Sequence, residues 1–186
     1  MPRYMNIIIS LLVFLLLSIP LLFISIVILI VDQEKPVYNS LRVGRNNIQF
    51  KMPKFRTMRS ETPQIPTHLF DNPEEYLTKT GPFLRKYSLD ELPQIFSVIK
   101  GDMSFVGPRP ALFNQDDLIL LRKEKNIHTL RPGITGWAQV NGRDELSIEE
   151  KVEYDEEYLL KQTTIFDLKI ILLTCLRVLK KEGISH

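Results

Sequence analysis

The chain has 186 residues, of which 25% are charged, and a formal net charge of +2. So even a balance argues against a dedicated nucleic-acid binder, which carries a clear basic excess. The single cysteine, Cys175, excludes an internal disulfide and a cysteine-built zinc site, and three scattered histidines (His68, His128, His186) leave a hard ion on carboxylates as the metal option.

Residues 7–31 are apolar except for Ser10, Ser18, Pro20 and Ser25. A helix of that length reaches about 37 Å, against a bilayer core of about 30 Å. Hydropathy alone favours a membrane span, and a cleaved signal peptide is disfavoured because the run is long and no small-x-small site follows. Pro20 opens an alternative. A mid-helix proline kinks the axis, Ser18 is placed to satisfy a freed carbonyl, and a kinked helix can enter one leaflet and return. The flanking Arg3 and Lys35 do not choose between the two.

Beyond the apolar run, alternation at Ile48, Phe50 and Met52 predicts a strand or hairpin. Lys51, Lys54, Arg56 and Arg59 form a basic group near the membrane exit, suited either to anionic headgroups or to clamping a phosphate. Pro63, Pro66, Pro73, Gly81 and Pro82 mark 61–82 as loop, with a short helix over 73–79 and the character of a mobile lid.

The centre of the chain is Arg85-Lys-Tyr-Ser-Leu-Asp-Glu-Leu-Pro-Gln94. Ser88 and Glu91 have the spacing of a capping box, Leu89, Leu92, Ile95, Phe96 and Ile99 recur at helical intervals, and Lys100-Gly101 reads as a stop. Asp90 and Glu91 then fall in a first turn, beside free N–H groups and the positive end of the dipole. That setting suits a phosphate, or a carboxylate that briefly carries one. The plainer alternative is that Glu91 only caps and Asp90 only favours the dipole. An exposed aspartate there is ionised at neutral pH and needs no base to act as a nucleophile.

Gly101–Pro110 is a rigid loop that aims Arg109, either to pin the fold or to grip a diphosphate. Residues 113–126 read as a helix with Asn114 as cap and no chemistry. In Leu130–Arg143, Gly133, Gly136 and Gly142 form either an anion cradle, with Arg131 and Arg143 beside it, or a structural turn; Trp137 either stacks on a base or dips into the interface. Residues 145–161 read as an acidic helix with a solvated face. The last segment, 165–181, is apolar around much of its circumference yet carries Asp167, Lys169, Arg177, Lys180 and Lys181, which fits an interfacial or core-packed helix.

Four long motifs occur in order: Lys54-Phe-Arg-Thr-Met58, Ser88-Leu-Asp-Glu-Leu-Pro-Gln94, Lys100-Gly-Asp-Met-Ser-Phe-Val-Gly-Pro-Arg-Pro110 and Arg131-Pro-Gly-Ile-Thr-Gly-Trp-Ala-Gln-Val-Asn-Gly-Arg143. With them the chain closely resembles the bacterial sugar transferases, the monotopic phosphoglycosyl transferases in their smallest form, over essentially its whole length. The resemblance implies a mixed α/β, helix-dominated fold. Residues 1–32 would be a re-entrant membrane helix, and 33–186 a cytoplasmic catalytic head with amphipathic interfacial helices, at the inner membrane of a bacterium. It implies transfer of a phosphosugar from a UDP-sugar to polyprenyl phosphate with loss of UMP. Asp90 would be the nucleophile and Glu91 would deprotonate or orient the acceptor. Mg2+ would sit at Asp90, with Asp167 matching another acidic position near the site. Arg85 and Arg109 fall in the site's surroundings by resemblance, and Lys54, Arg56, Arg131 and Arg143 complete the phosphate-binding candidates. The implied partners are the UDP-sugar, polyprenyl phosphate, the bilayer and a second copy in a homodimer, with no nucleic acid. Two positions depart from the family: Ser18-Ile19-Pro20 stands where relatives have adjacent Ser-Pro, and Arg3-Tyr-Met-Asn6 where they have Arg-x-x-Asp. A non-catalytic membrane scaffold and a UDP-sugar hydrolase are the competing readings.

Overall fold

A computed structural model of the chain describes residues 1–62, 72–142 and 145–180. Helix α1 (Arg3–Val27) runs on through a π-helical segment at Ile28–Asp32 and stops at Gln33, whose φ is 56°. It is long and apolar enough to cross a membrane. Its helical turns continue without interruption across Pro20. Ser18 Oγ donates to Leu15 O at 2.8 Å, the carbonyl one residue before the one that Pro20 leaves without a donor.

One row of α1, Asn6, Ser10, Phe14, Leu17, Leu21, Ile24 and Ile28, faces the rest of the protein at three- and four-residue steps. The opposite face, including Ile8, Leu12, Leu15, Leu16, Ile19, Phe23, Ile26 and Ile30, is exposed. Both ends of the helix are fastened. Arg3 donates to Val98 O at 2.5 Å and Ile99 O at 2.6 Å. Asn6 Oδ1 accepts from Ser104 Oγ and Phe105 N, each at 3.0 Å. At the far end Asp32 accepts from the Thr80 amide at 3.1 Å and from its hydroxyl. Hydropathy reads the length of this helix correctly; it does not reveal that one side lies along the head from end to end.

Strands β1 (Val37–Val43) and β2 (Gln49–Phe55) form an antiparallel hairpin. Ile48, expected in the strand, is exposed in the connecting turn, whereas Phe50 and Met52 are buried. Helix α2 (Gly81–Lys86), 3-10 turns at Leu89–Gln94 and helix α3 (Ile95–Lys100) follow. Gly101, φ 104°, stops α3 as the sequence predicts. Then come β3 (Ser104–Val106), β4 (Ala111–Leu112), α4 (Asp116–Glu124), β5 (Gly133–Thr135), α5 (Ile148–Lys161) and α6 (Thr164–Lys180). Strand β4 extends the hairpin in the order β2-β1-β4, and β3 pairs with β5 in parallel. The result is helix-dominated, with two small sheets. Pro73–Tyr76 is a single 3-10 turn, shorter than the helix expected over 73–79; residues 63–71 of the expected lid, with His68, lie outside the described residues, and Gly81 and Pro82, expected as loop, open α2.

Phe55 and Leu84 join α1's inner row, Phe50 and Met52 pack on Val98 and Met103 of the α3 unit, and Val106, Val140, Tyr158 and Ile170 join α5 and α6 to the β3–β5 pair. The expected cap at Asn114 is not used; Gln115 Oε1 accepts from Leu112 N at 2.8 Å just before α4. The capping box in this protein is at α5, where Ser147 Oγ accepts from Glu150 N at 3.1 Å and Glu150 accepts from Ser147 N at 2.7 Å. Helix α6 buries Asp167 and Ile170 and exposes Ile165, Leu168, Leu172 and Leu176, so it is core-packed on one side and apolar to the outside on the other.

The glycine-rich stretch is a structural crossing. A Cβ on Gly136 would stand 2.1 Å from Gly107 O, and one on Gly133 2.2 Å from Gly107 N. Two backbones touch there, which only glycine permits. Gly136→Ala is therefore expected to destabilise the head by at least about 1–3 kcal/mol, read as an earlier thermal melt; an unchanged melting temperature would show that the loops separate without cost.

Candidate active site

The turn that carries Asp90 and Glu91 is not built as a capped helix. Ser88 takes the left-handed conformation (φ 52°) and makes no side-chain cap, and Leu89–Gln94 winds as 3-10 turns containing Pro93. Leu89 and Leu92 pack towards α1. Asp90 and Glu91 instead meet β2. Residues 50, 52 and 54 share one strand face by the two-residue repeat, and Lys54 ends that row. Its Nζ lies 2.9 Å from Glu91 Oε1 and 3.6 Å from Asp90 Oδ2. Arg109 Nη2, from the Gly-Pro-Arg-Pro loop, donates to the same Glu91 oxygen at 3.2 Å. Glu91 is thus held by two cations that are distant in sequence, which is why the capping-box spacing misleads.

Asp90 is 9% exposed, which corrects the expectation of an exposed carboxylate. Burial pushes its pKa above the ordinary value and Glu91 adds to that, while Lys54, Arg85 and Arg109 pull it down. Arg85 is held by a hydrogen bond from Nε to Thr57 Oγ1 at 3.0 Å, within electrostatic reach of Asp90. The site is therefore a pair of acids under several cations, with α1 on the far side of their turn.

The other candidates are held by other partners. Arg56 donates to Lys35 O at 3.0 Å, sits 3.8 Å from Glu34 Oε2 and covers the Tyr38 ring, so it braces the exit from α1. Arg131 interacts with Arg45 and Arg3. Asp167 is fully buried; its oxygens accept from Tyr158 OH at 2.7 Å and from the Met1 amino group, not from groups around Asp90. Trp137 is a packing residue between α5 and α6, donating to Glu157 Oε2 at 2.7 Å with Phe166 5.0 Å away. Arg143 lies outside the described residues. Among the described residues no three His, Cys, Asp or Glu side chains gather as a metal cage.

The family model for bacterial sugar transferases matches residues 1–181. The chain belongs to that family. It is similar to the sugar transferase EpsL of Bacillus subtilis, 45% identical over 149 residues that cover 80% of this chain and 72% of the relative. It is 37% identical over 182 residues to the UDP-glucose:undecaprenyl-phosphate glucose-1-phosphate transferase of Escherichia coli, covering 94% of this chain and 39% of that protein. The undecaprenyl-phosphate galactose phosphotransferase of Salmonella typhimurium is 34% identical over 168 residues, 82% of this chain and 35% of the relative. The chain thus spans little more than a third of the length of the latter two.

Two features of this sugar transferase escape sequence reasoning. Arg42 on β1 donates to Ser40 Oγ at 3.0 Å and Pro110 O at 3.2 Å, within the field of Glu91 and Arg109. Burial, and then Arg109, lowers its pKa to about 10, so it remains a cation at neutral pH. The second is an ion pair between helices that sequence reading gives no role. Arg122 Nε and Nη2 donate to Asp155 Oδ2 at 3.0 and 2.6 Å, and Arg122 Nη1 donates to Arg109 O at 2.8 Å. Asp155 is 1% exposed, so the acidic face of α5 is not wholly solvated. The available signal was position: Asp155 falls on the stripe of Val152 and Tyr158, both buried.

Proposed function

We propose that the chain transfers a sugar phosphate from a UDP-sugar to polyprenyl phosphate, undecaprenyl phosphate in bacteria, through a phosphosugar carried on Asp90. The observation that carries this reading is the placement of the Asp90–Glu91 turn. One side presents two carboxylates to Lys54, Arg85 and Arg109, and the other packs its leucines towards the apolar helix α1. A water-soluble diphosphate and a membrane-borne phosphate can both reach such a turn. The names of the Escherichia coli and Salmonella relatives, which specify undecaprenyl phosphate as acceptor, support the same reaction class.

In the first displacement an Asp90 oxygen attacks the sugar-linked phosphorus of the donor. The bond from that phosphorus to the bridging oxygen breaks, and UMP leaves with the electron pair. In the second, an oxygen of the acceptor phosphate attacks the same phosphorus and the Asp90 carboxylate departs, leaving a polyprenyl diphosphate sugar. Glu91 orients the acceptor and takes any proton it still carries. Lys54, Arg109, Arg85 and Arg42 offset the repulsion between phosphates and carboxylates and stabilise the charge on UMP. Two displacements let one site serve a soluble donor and a lipid acceptor in turn. The oxygen donors of Asp90 and Glu91 fit Mg2+, which takes few carboxylates and completes its shell with substrate phosphate and water. When bound, it would neutralise diphosphate charge.

Helix α1 is read as re-entrant: it dips into one leaflet and leaves the head on the cytoplasmic face of the inner membrane. Its two ends, fastened through Arg3 and Asn6 and through Asp32, belong to one head, which favours this over a perpendicular span.

The test is UMP release from a panel of UDP-sugars, with and without undecaprenyl phosphate, in magnesium or EDTA. Multiple-turnover release that needs both lipid and magnesium, for one or two sugars, is expected. Sustained release without lipid would make the protein a hydrolase, and no release from any sugar would favour the scaffold.

A further inference from the structure

Three arginines from three separate segments converge near the start of α1. Arg3 is held against the carbonyl end of α3 by its bonds to Val98 and Ile99, and its guanidinium rests on Gly101, where a Cβ would come within 3.0 Å of it. Arg45, in the turn between β1 and β2, donates from Nε to Thr129 O at 2.8 Å. Arg131 follows two residues later. The bond from Ser104 N to Pro132 O, 2.8 Å, lays that segment beside the strand that leaves Gly101. The three side chains feel one another: burial, then Arg45 and Arg3, lowers the pKa of Arg131. Among the described residues no carboxylate forms an ion pair with any of them, and Asp102, next to Gly101, is bridged to Lys100 at 3.0 Å. Like charges gathered without a counter-charge are unfavourable until an anion joins them.

We propose that Arg3, Arg45 and Arg131 form a binding site for the phosphate of an anionic phospholipid headgroup. The ligand chemistry follows from two features. Guanidinium forks match phosphate oxygens in pairs. The cluster also borders the exposed apolar face of α1, which begins at Tyr4, Ile8, Leu11 and Leu12, and that face is the surface a bilayer covers. Arg3 precedes Tyr4, the first residue of that face, so the headgroup and acyl chains of one lipid can be engaged together. A net-negative headgroup answers the unbalanced charge; a zwitterionic one brings none. The proposal rests on the membrane placement of α1 given above and not on the transferase chemistry.

The test uses the full chain in neutral detergent, titrated with dihexanoyl-phosphatidylglycerol, dihexanoyl-phosphatidylcholine or inorganic phosphate while the melting temperature is followed. Phosphatidylglycerol is expected to raise it saturably, the other two by far less, and added salt to weaken the effect. Arg45→Gln and Arg131→Gln are each expected to weaken phosphatidylglycerol binding about fivefold. Lys123→Gln, an exposed charge on α4, is expected to leave it unchanged. Equal shifts from both lipids, or a phosphatidylglycerol shift unaltered in Arg45→Gln and in Arg131→Gln, would overturn the site. Inorganic phosphate reproducing the full shift would assign it to free phosphate instead. If Arg131→Gln fails to fold, Arg45→Gln alone decides. Failure of the chain to float with phosphatidylcholine vesicles would refute the membrane placement itself, separately from the headgroup site.

Discussion

Asp90→Asn is expected to abolish turnover, by more than about 10³-fold, without loosening the fold. Asparagine keeps the shape of the side chain but offers no carboxylate to attack phosphorus. The buried carboxylate of Asp90 has its pKa raised in the folded state, so the native protein binds that proton more tightly than the unfolded chain does. Its contribution to stability is full below the unfolded aspartate pKa and is lost as pH rises through the raised folded value. At neutral pH the ionised group is therefore a cost, and a neutral isostere removes it. Asp90→Asn should melt no earlier than the parent at pH 7–8, with any gain shrinking as pH falls. Activity of the parent should fall as pH drops through the raised pKa, because only the ionised carboxylate attacks. UMP release and thermal melts on the same samples check all of this; a variant that still turns over removes Asp90 as the nucleophile.

Cutting the Arg122–Asp155 pair should cost about 3–5 kcal/mol, because removing either partner leaves an unpaired charge in the interior. Asp155→Ala or Arg122→Met would show it as a lower denaturant midpoint. The double variant Arg122→Met/Asp155→Leu should recover much of the stability, since no charge is then stranded. It should not recover activity, because the hydrogen bond from Arg122 Nη1 to Arg109 O is still missing and the loop that delivers Arg109 to Glu91 is no longer hooked to α4. Recovery of both would make Arg122 a purely structural residue.

The sequence is most informative where a pattern is local. The apolar run of α1, the alternation of Phe50 and Met52, the stop at Gly101 and the acidic pair at 90–91 all rest on neighbouring residues. It misleads where a distant group decides the outcome. Ser88 and Glu91 have capping-box spacing, but Lys54 and Arg109 take the Glu91 carboxylate, and the box forms at Ser147 and Glu150, where no such competitor intervenes. Burial of Asp90 depends on β2 and α1 closing over a turn that, read alone, is exposed. Arg42 and the Arg122–Asp155 pair join segments whose contact no periodicity reports. The glycines at 133 and 136 carry the composition of an anion cradle, and only the opposing backbone at Gly107 shows that they permit a crossing instead.

The most direct test of the central claim is to trap the proposed intermediate. The protein would be incubated with its UDP-sugar donor in the absence of acceptor, quenched in acid, and examined by intact mass and peptide mapping. A single phosphosugar mass is expected on the peptide containing Asp90, absent from Asp90→Asn and discharged by undecaprenyl phosphate. Turnover with no adduct at Asp90, or an adduct on any other residue, would contradict it.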